Sequence, residues 1–389
     1  VNRAAATAGT AGGIAALVIV ACACPAPKKL GDPLDGLTQQ ESARFVQGRE
    51  AFQRAFTPET GLGPLFNADG CAECHEDPAT GGRGDEIESH VSVFDPATGS
   101  CDQLVEKGGP VIQQHATPAL SAALGIDREP TPAAAKVVAS RSAPELFGLG
   151  LLDAVPDAEI LALADPDDRD HDGISGRPNR FVDGRLGRFG RKAFVPTLRE
   201  FNAGAYTIEQ GITNPESPTE ESIGGDPIPP GVDPVPEPEI TQAALDATDD
   251  FVRFLAPPQR AHLDAAGRRG RKLFGAIGCA ACHVPSLTTG DSPVEALRYK
   301  TVYAYTDLLL HDMGDGLADI CFGLATPSEF RTAPLMGISK ATALLHDGRA
   351  KSIEEAIRLH AGEASTARNR FEALSSQDRD ALLRFLGSL

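Results

Sequence analysis

The sequence has no tryptophan, four tyrosines and two methionines, and aromatic residues fill only 5% of its 389 positions. A chain so short of large rings, yet holding 40 glycines and 30 prolines, has many turns and long connections. Positive charge is also scarce: 36 Lys and Arg stand against 54 Asp and Glu, a formal net charge of −18. That balance excludes unspecific binding to nucleic acid or to an anionic membrane surface, both of which need a positive face. Strand patterns are few. No apolar run after residue 23 reaches the length of a bilayer span. The composition is neither disordered nor collagen-like, and at about 100–200 residues per domain the length fits two domains, each with its own core.

Residues 14–23, IAALVIVACA, form an apolar run too short to cross a bilayer and the right length for the core of a secretory signal. Ile19-Val20-Ala21-Cys22 resembles a bacterial lipobox, in which Cys22 is lipidated; the alternative is an ordinary small-residue cleavage site. Residues 1–33 are therefore read as signal and tether. The expected location is periplasmic, with membrane contact only through an N-terminal lipid anchor.

Periodicity beyond that point is mostly helical. Phe45, Val46, Phe52 and Phe56 recur at helical spacing over 42–56, as do Leu382, Leu383, Leu386 and Leu389 near the end. Further helices are expected over 156–164, 241–255 and 352–360, where Ser352 with Glu355 forms a capping-box pattern. Residues 214–239 are acidic and Pro-rich, with too little apolar content to pack, and are expected to form an extended surface loop. Ala256-Pro257-Pro258 closes a helix and marks the domain boundary, giving 34–256 and 257–389.

The sequence also repeats itself. GREAF, LFNADG and CAECH follow one another over 48–75, and GRKLF, GAIG and CAACH over 270–283. Cys71, Cys74 and His75, then Cys279, Cys282 and His283, are both CxxCH, the attachment pattern of c-type haem. Two thiols one helical turn apart can add to the two vinyl groups of one porphyrin, and the adjacent imidazole then lies beneath the iron. A four-Cys zinc site needs its pairs much closer in sequence, and a redox dithiol has no use for the histidine. The reading is two covalently bound haem c in two tandem cytochrome c-like domains, mainly α with long loops. Cys101 and Cys321 are candidates for a disulfide between the domains, the alternative being two buried thiols.

Asp168, Asp170 and Asp172, followed by Gly173, alternate as in a calcium loop, with Asn179 where an EF-hand would place a bidentate Glu. Calcium is the second cofactor expected, weighed against a merely acidic turn.

Beyond the haem motifs, RSAPELFGLGLLDAVP (141–156), DPDDRDHDGISGR (165–177), GRFGRKA (187–193), TDLLLHDMG (306–314), RTAPLMGI (331–338) and LLHDGRAKSIEEAIRLHAGEA (344–364) follow in order. These segments closely resemble the bacterial di-haem oxidoreductase family, related to the dihaem cytochrome c peroxidases. The resemblance implies two cytochrome c domains whose haems communicate across their interface. In the peroxidase relatives the sixth ligand of the electron-transfer haem lies fourteen residues after an HDG element; counted from His346 this is His360. His283 and His360 then make a bis-His haem, with Met313 and His311 as competing ligands. Imidazole in place of the relatives' usual thioether lowers the potential. For the N-terminal haem the relatives carry a removable distal histidine, and His90 stands at a similar offset, with His115 as its competitor. Glu209 in AYTIEQGIT resembles the peroxidases' catalytic Glu, which moves a proton during O–O cleavage. A plain loop histidine and a solvated carboxylate are the respective alternatives.

The chain also departs from the family. Arg191 and Met336 replace tryptophans, so no indole can relay electrons, and direct haem-edge transfer or a tyrosine such as Tyr206 must serve. Phe201 stands where relatives often have Gln. The expected function is an exported dihaem c-type oxidoreductase, taking electrons from a small donor protein (a cytochrome c or cupredoxin) at the C-terminal haem. It would reduce hydrogen peroxide or another small oxidant at the N-terminal haem. The alternatives are a non-catalytic dihaem electron carrier and a dihaem enzyme oxidising a partner protein.

Overall fold

The structure is a computed structural model that describes residue 1, residues 28–220 and residues 222–389. The apolar run at 14–23, Cys22 and Cys24 lie outside the described residues. No helix among the described residues is long and apolar enough to cross a membrane.

Two helix pairs organise the chain. The first helix, Gln39–Phe52, is started by Thr38, whose hydroxyl accepts the Glu41 N–H at 3.2 Å while the Glu41 carboxylate accepts the Thr38 N–H at 2.7 Å. It buries Phe45, Gly48 and Phe52 against the Gln242–Phe254 helix, with Phe251 set 5.3 Å from Phe45 and 4.9 Å from Phe52 between ring centres. Gly48 is needed at the crossing, because a methyl group there would run into the Ala247 carbonyl. The second pair repeats the solution: Ala265–Ala276 lies on Ser376–Leu386, a methyl on Gly270 would meet the Ala381 carbonyl, and Phe274 packs 5.5 Å from Phe385. The Gly-x-x-x-Phe part of the sequence repeat is thus a helix-crossing device. Each phenylalanine also faces the following motif's histidine, Phe52 to His75 at 6.1 Å and Phe274 to His283 at 6.4 Å.

The expected helices form with shorter bounds: Asp157–Leu161 after Pro156, Gln242–Phe254 after Thr241, and Ile353–Leu359 after Ser352. Ser352 accepts the Glu355 N–H at 3.1 Å, but Glu355 returns its bond to Lys351 N–H, one residue before the cap. Phe56 lies beyond the end of the first helix, in a cluster with Leu62, Tyr206 and Ile212.

Two features differ from the sequence reading. Ile87–Asp95 is the hub of a four-stranded antiparallel sheet, pairing with Ser100–Asp102, Val111–Ile112 and Val137–Ser142. Its alternation is blurred because His90, Val91 and Ser92 are all buried, so successive residues on both faces are covered. The acidic segment 214–239 is not a loose surface loop: Ile223 and Val232 are buried with Leu65 and Leu120, and Thr213 bonds Glu237 and Glu239. A few well-placed apolar side chains are enough to seat it. The largest core also crosses the 256/257 position, joining Phe45, Phe147 and Phe251 to Leu287, Leu297 and Leu309. Cys101 and Cys321 form a disulfide, Cα to Cα 5.8 Å, that ties the sheet to the C-terminal half.

Gly270→Ala is expected to destabilise the protein by about 1–3 kcal/mol, since the helices must separate or shift to admit the methyl. Urea unfolding would read this as a lowered midpoint, and an unchanged midpoint would show that the crossing has slack.

Candidate haem sites

Cys71–Cys74 form one helical turn entered through Gly70, and Cys279–Ala281 form a tighter 3-10 turn entered through Gly278. Burial pushes the Cys71 thiol up to about 11 and the Cys279 thiol up to about 12, so neither is the ready thiolate that a redox dithiol requires. The histidines that end the two motifs are held alike. His75 Nδ1 donates to the Gly82 carbonyl at 3.0 Å, and His283 Nδ1 donates to the Tyr305 carbonyl at 2.9 Å. Tyr305 is the only hydrogen-bond partner of the His283 ring among the described residues, whereas the Pro144 carbonyl also acts on the His75 ring. Burial lowers both imidazoles, His283 to about 4, so each is neutral at pH 7 with its lone pair on Nε2. A ring fixed through Nδ1 with Nε2 free is the arrangement that metal-ligating histidines adopt, and it fits an iron held at each motif.

The surroundings of the two motifs then diverge. Beside His283 lies His360, whose charge adds to the groups lowering His283 and whose own Nδ1 is tied to the Ala356 carbonyl at 2.7 Å. Its Nε2 is likewise free among the described residues. His311 is differently engaged: Nε2 meets Asp307 and Nδ1 meets Glu363, both at 2.8 Å, which leaves no ring nitrogen for a metal. Met313 is half-buried, and its N–H donates to the Ser328 carbonyl.

Beside Cys74 and His75 stand carboxylates. Burial first, then the charges of Glu209, Glu86 and Glu88, raises the Cys74 thiol, which places Glu209 and Glu88 near the first motif. Glu209 closes the Leu198–Gln210 helix, where Asn67 Nδ2 donates to its Oε2 at 2.7 Å and its carbonyl accepts the N–H groups of Asn67 and Ala68. Burial and the Glu88 charge raise the Glu209 carboxyl well above the usual range. Burial also opposes ionisation of Glu88, but the His90 hydrogen bond and the charges of His90, Arg141 and His75 hold it below the usual range. His90 uses Nε2 on Glu88 at 2.9 Å and keeps Nδ1 buried without a partner. His115 is exposed and packs on Phe66.

Tyr206 bonds Thr248 at 2.7 Å and lies by Cys71, so it belongs to the first site. Phe201 is 37% exposed, while Met336 packs at the edge of the main core. The carboxylates of Asp168, Asp170 and Asp172 converge within 4.8 Å of one another, with Gly173 N–H on Asp168. Asn179 is turned away from that loop, its amide fully used by the carbonyls of Lys192 and Phe322 and the N–H groups of Arg180 and Leu324. Glu220, Asp233, Glu237 and Glu239 form a second acidic cluster. The residues that sequence reasoning missed are Asn67 and Glu88. A signal for Asn67 exists, because it stands in LFNADG where the second repeat has only GAIG.

Residues 135–389 match the family model described as "Di-haem oxidoreductase, putative peroxidase". The chain belongs to that family. The matched part of this di-haem oxidoreductase holds Glu209, the second CxxCH and His360; the first CxxCH precedes it. Haem is the family's cofactor, and the two tethered imidazoles fit it. No curated protein matches. Among solved structures, the chain is similar to the Kuenenia stuttgartiensis hydrazine synthase at 13% identity, covering 98% of this chain and 100% of that one with a TM-score of 0.43. It is also similar to a MauG-like protein associated with microbial copper homeostasis, at 19% identity, 94% of each chain and a TM-score of 0.41. A third similarity is to the diheme peroxidase BthA from Burkholderia thailandensis E264, at 16% identity, 89% and 86% coverage and a TM-score of 0.43.

The His311 geometry gives a pH prediction. Burial works against its charge, but hydrogen bonds from Asp307, Cys282 and Glu363 outweigh it and push the imidazole up to about 12. An unfolded histidine releases its proton near about 6.5. The resulting stability is complete below about pH 6.5 and is lost as pH rises from there towards the folded value. Urea midpoints should therefore fall between pH 6.5 and 9 more steeply in the wild-type protein than in His311→Gln; parallel slopes would show that His311 is neutral.

Proposed function

We infer that this di-haem oxidoreductase is an exported c-type enzyme that takes electrons at the C-terminal haem and reduces a small oxidant, such as hydrogen peroxide, at the N-terminal one. The observation that carries this reading is the unlike surroundings of two motifs held alike: His360 beside His283, and the Asn67–Glu209 pair beside His75. Covalent attachment through Cys71, Cys74, Cys279 and Cys282 belongs to the same reading, as does calcium at Asp168, Asp170 and Asp172. So do a small donor protein, a cytochrome c or cupredoxin, and an N-terminal lipid anchor as the sole link to a membrane.

Bound haem supplies an iron that exchanges electrons and, where an axial position is open, a place for the oxidant. The chain does the rest. His75 and His283 would each offer a nitrogen to an iron, their rings oriented by Gly82 and Tyr305. His360 would fill the second site, which suits electron entry without substrate. Glu209 keeps its proton to higher pH than an exposed carboxyl and can pass it to a leaving oxygen, as O–O cleavage requires. Asn67 orients that carboxyl by holding one oxygen, and the negative charge of Glu88, bonded to His90, helps to keep the proton on Glu209.

His360→Ala should convert a low-spin optical signal to a high-spin one, and an unchanged spectrum would move the ligand role to Met313. Glu209→Gln should leave both haems assembled and lower peroxide turnover with a reduced donor by about 10²–10⁴-fold. Equal turnover in the two proteins would reduce Glu209 to a structural carboxylate. A wild-type protein inert towards peroxide after reduction would instead leave an electron carrier.

A further inference from the structure

A chain with a net charge of −18 nevertheless gathers cations in its interior: Arg83, Arg141 and Lys192 are buried, and the half-buried Arg191 and Arg331 lie with them. Most of them are answered. Arg141 meets Asp319 at 2.6 Å and Lys192 meets the same Asp319 at 2.8 Å, while Arg83 reaches the Ala143 carbonyl, Ser142 and, at 3.7 Å, Glu145. Arg191 and Arg331 form no ion pair among the described residues, and carboxylates reach them only at longer range, Glu145 and Glu88 at Arg191 and Asp307 at Arg331. Arg191 Nη2 donates to the Ser142 carbonyl at 2.8 Å. Arg331 has Nε and Nη1 sealed from solvent with no hydrogen-bond partner among the described residues. Its main-chain N–H donates to the Arg191 carbonyl at 2.9 Å, so the two residues lie side by side. Uncompensated interior cations are costly, and such a pair is expected only where an anion completes it. Burial lowers both guanidiniums to about 10, with the charges of Arg83 and Arg141 adding to it at Arg191 and that of Arg191 at Arg331.

Their place in the fold points to the anion. The His75 ring is fixed by Gly82, and the neighbouring Arg83 grips the 142–143 segment on which Arg191 also rests. The His283 ring is fixed by Tyr305, and the next residue, Thr306, donates its hydroxyl to the carbonyl of Thr332, the neighbour of Arg331, at 2.6 Å. Each arginine is therefore built into the frame of one axial histidine. The asymmetric feature of a haem edge is its pair of propionate carboxylates, and a guanidinium fork matches a carboxylate in charge and geometry.

We propose that Arg191 and Arg331 form a carboxylate seat between the two haem sites, and that it is filled by haem propionates. The seat rests on the two-haem reading. It gives these arginines two roles: they fix the haem edges relative to each other, and they favour the reduced state, because a buried cation offsets the negative charge that reduction adds.

The test uses the holoprotein, with acid–acetone extraction and a haem-based mass increment first establishing two covalent haems. A missing haem would defeat the functional reading and not the seat. In a dihaem protein, Arg191→Gln and Arg331→Gln should each shift the propionate bending band in resonance Raman spectra and move at least one midpoint potential to a more negative value. Arg331→Lys should recover the potential but not the band, since it restores charge without the fork. Potentials and bands equal to wild type in both Gln variants would overturn the proposal. If those variants do not accumulate with both haems, wild-type protein carrying ¹³C-labelled propionates decides by infrared spectroscopy. Carboxylate stretches of guanidinium-paired groups support the seat, and those of wholly water-exposed groups overturn it.

Discussion

Two main-chain carbonyls, those of Gly82 and Tyr305, fix the imidazoles on which both haem sites depend. An imidazole attached only through its Cβ can spin and flip, and either nitrogen can carry the proton. A carbonyl at hydrogen-bond distance from Nδ1 settles both matters at once, because it accepts only from a protonated Nδ1 and so leaves the lone pair on Nε2. The helix pairs then set where those rings stand. With Gly48 and Gly270 at the crossings, the helix that precedes each motif lies close to its partner, and Phe52 and Phe274 come within ring-contact distance of His75 and His283.

The same device used twice does not make two equal sites, and the difference comes from elements outside the repeat. The Ile353–Leu359 helix ends on His360 at the second motif, whereas the Leu198–Gln210 helix ends on Glu209 at the first. One presents a neutral imidazole and the other a carboxyl. A base that can coordinate closes a site; an acid that keeps its proton opens a route for proton transfer. On the proposed function, this division would let one chain separate electron entry from reduction of an oxidant.

What could be read in the sequence was whatever is local. CxxCH, the Gly-x-x-x-Phe repeat and the capped helices each declare themselves within a few residues, and the helices formed close to their expected spans. Long segments shared with a family were equally legible, and they led to His360 and Glu209. What could not be read depends on distant partners. The repeat marks Asn67 as a place where the two motifs differ, but not that it will hold a carboxyl 142 positions away. The Ile87–Asp95 strand is hidden because both of its faces are covered, which erases the alternation that marks a half-buried strand. The acidic segment 214–239 misleads for the opposite reason: its average composition is that of a solvated loop, yet packing is decided by Ile223 and Val232 individually.

Charge gives the same lesson in its strongest form. Net composition describes the surface, and here it is acidic; it says nothing of an interior where Arg83, Arg141, Lys192, Arg191 and Arg331 gather. Asp319 answers two of them, and its own burial at 4% exposure is tolerable only because it does. If Asp319 is the internal counterion for Arg141 and Lys192, then its loss would leave four adjacent cations with no fixed carboxylate among them. The interface would have to open to water or recruit more anion. The halves joined by the Cys101–Cys321 bond are thus held by a balance of buried charge as well as by the core that crosses between them, and in the proposed seat the anionic edge of the cofactor would complete that balance.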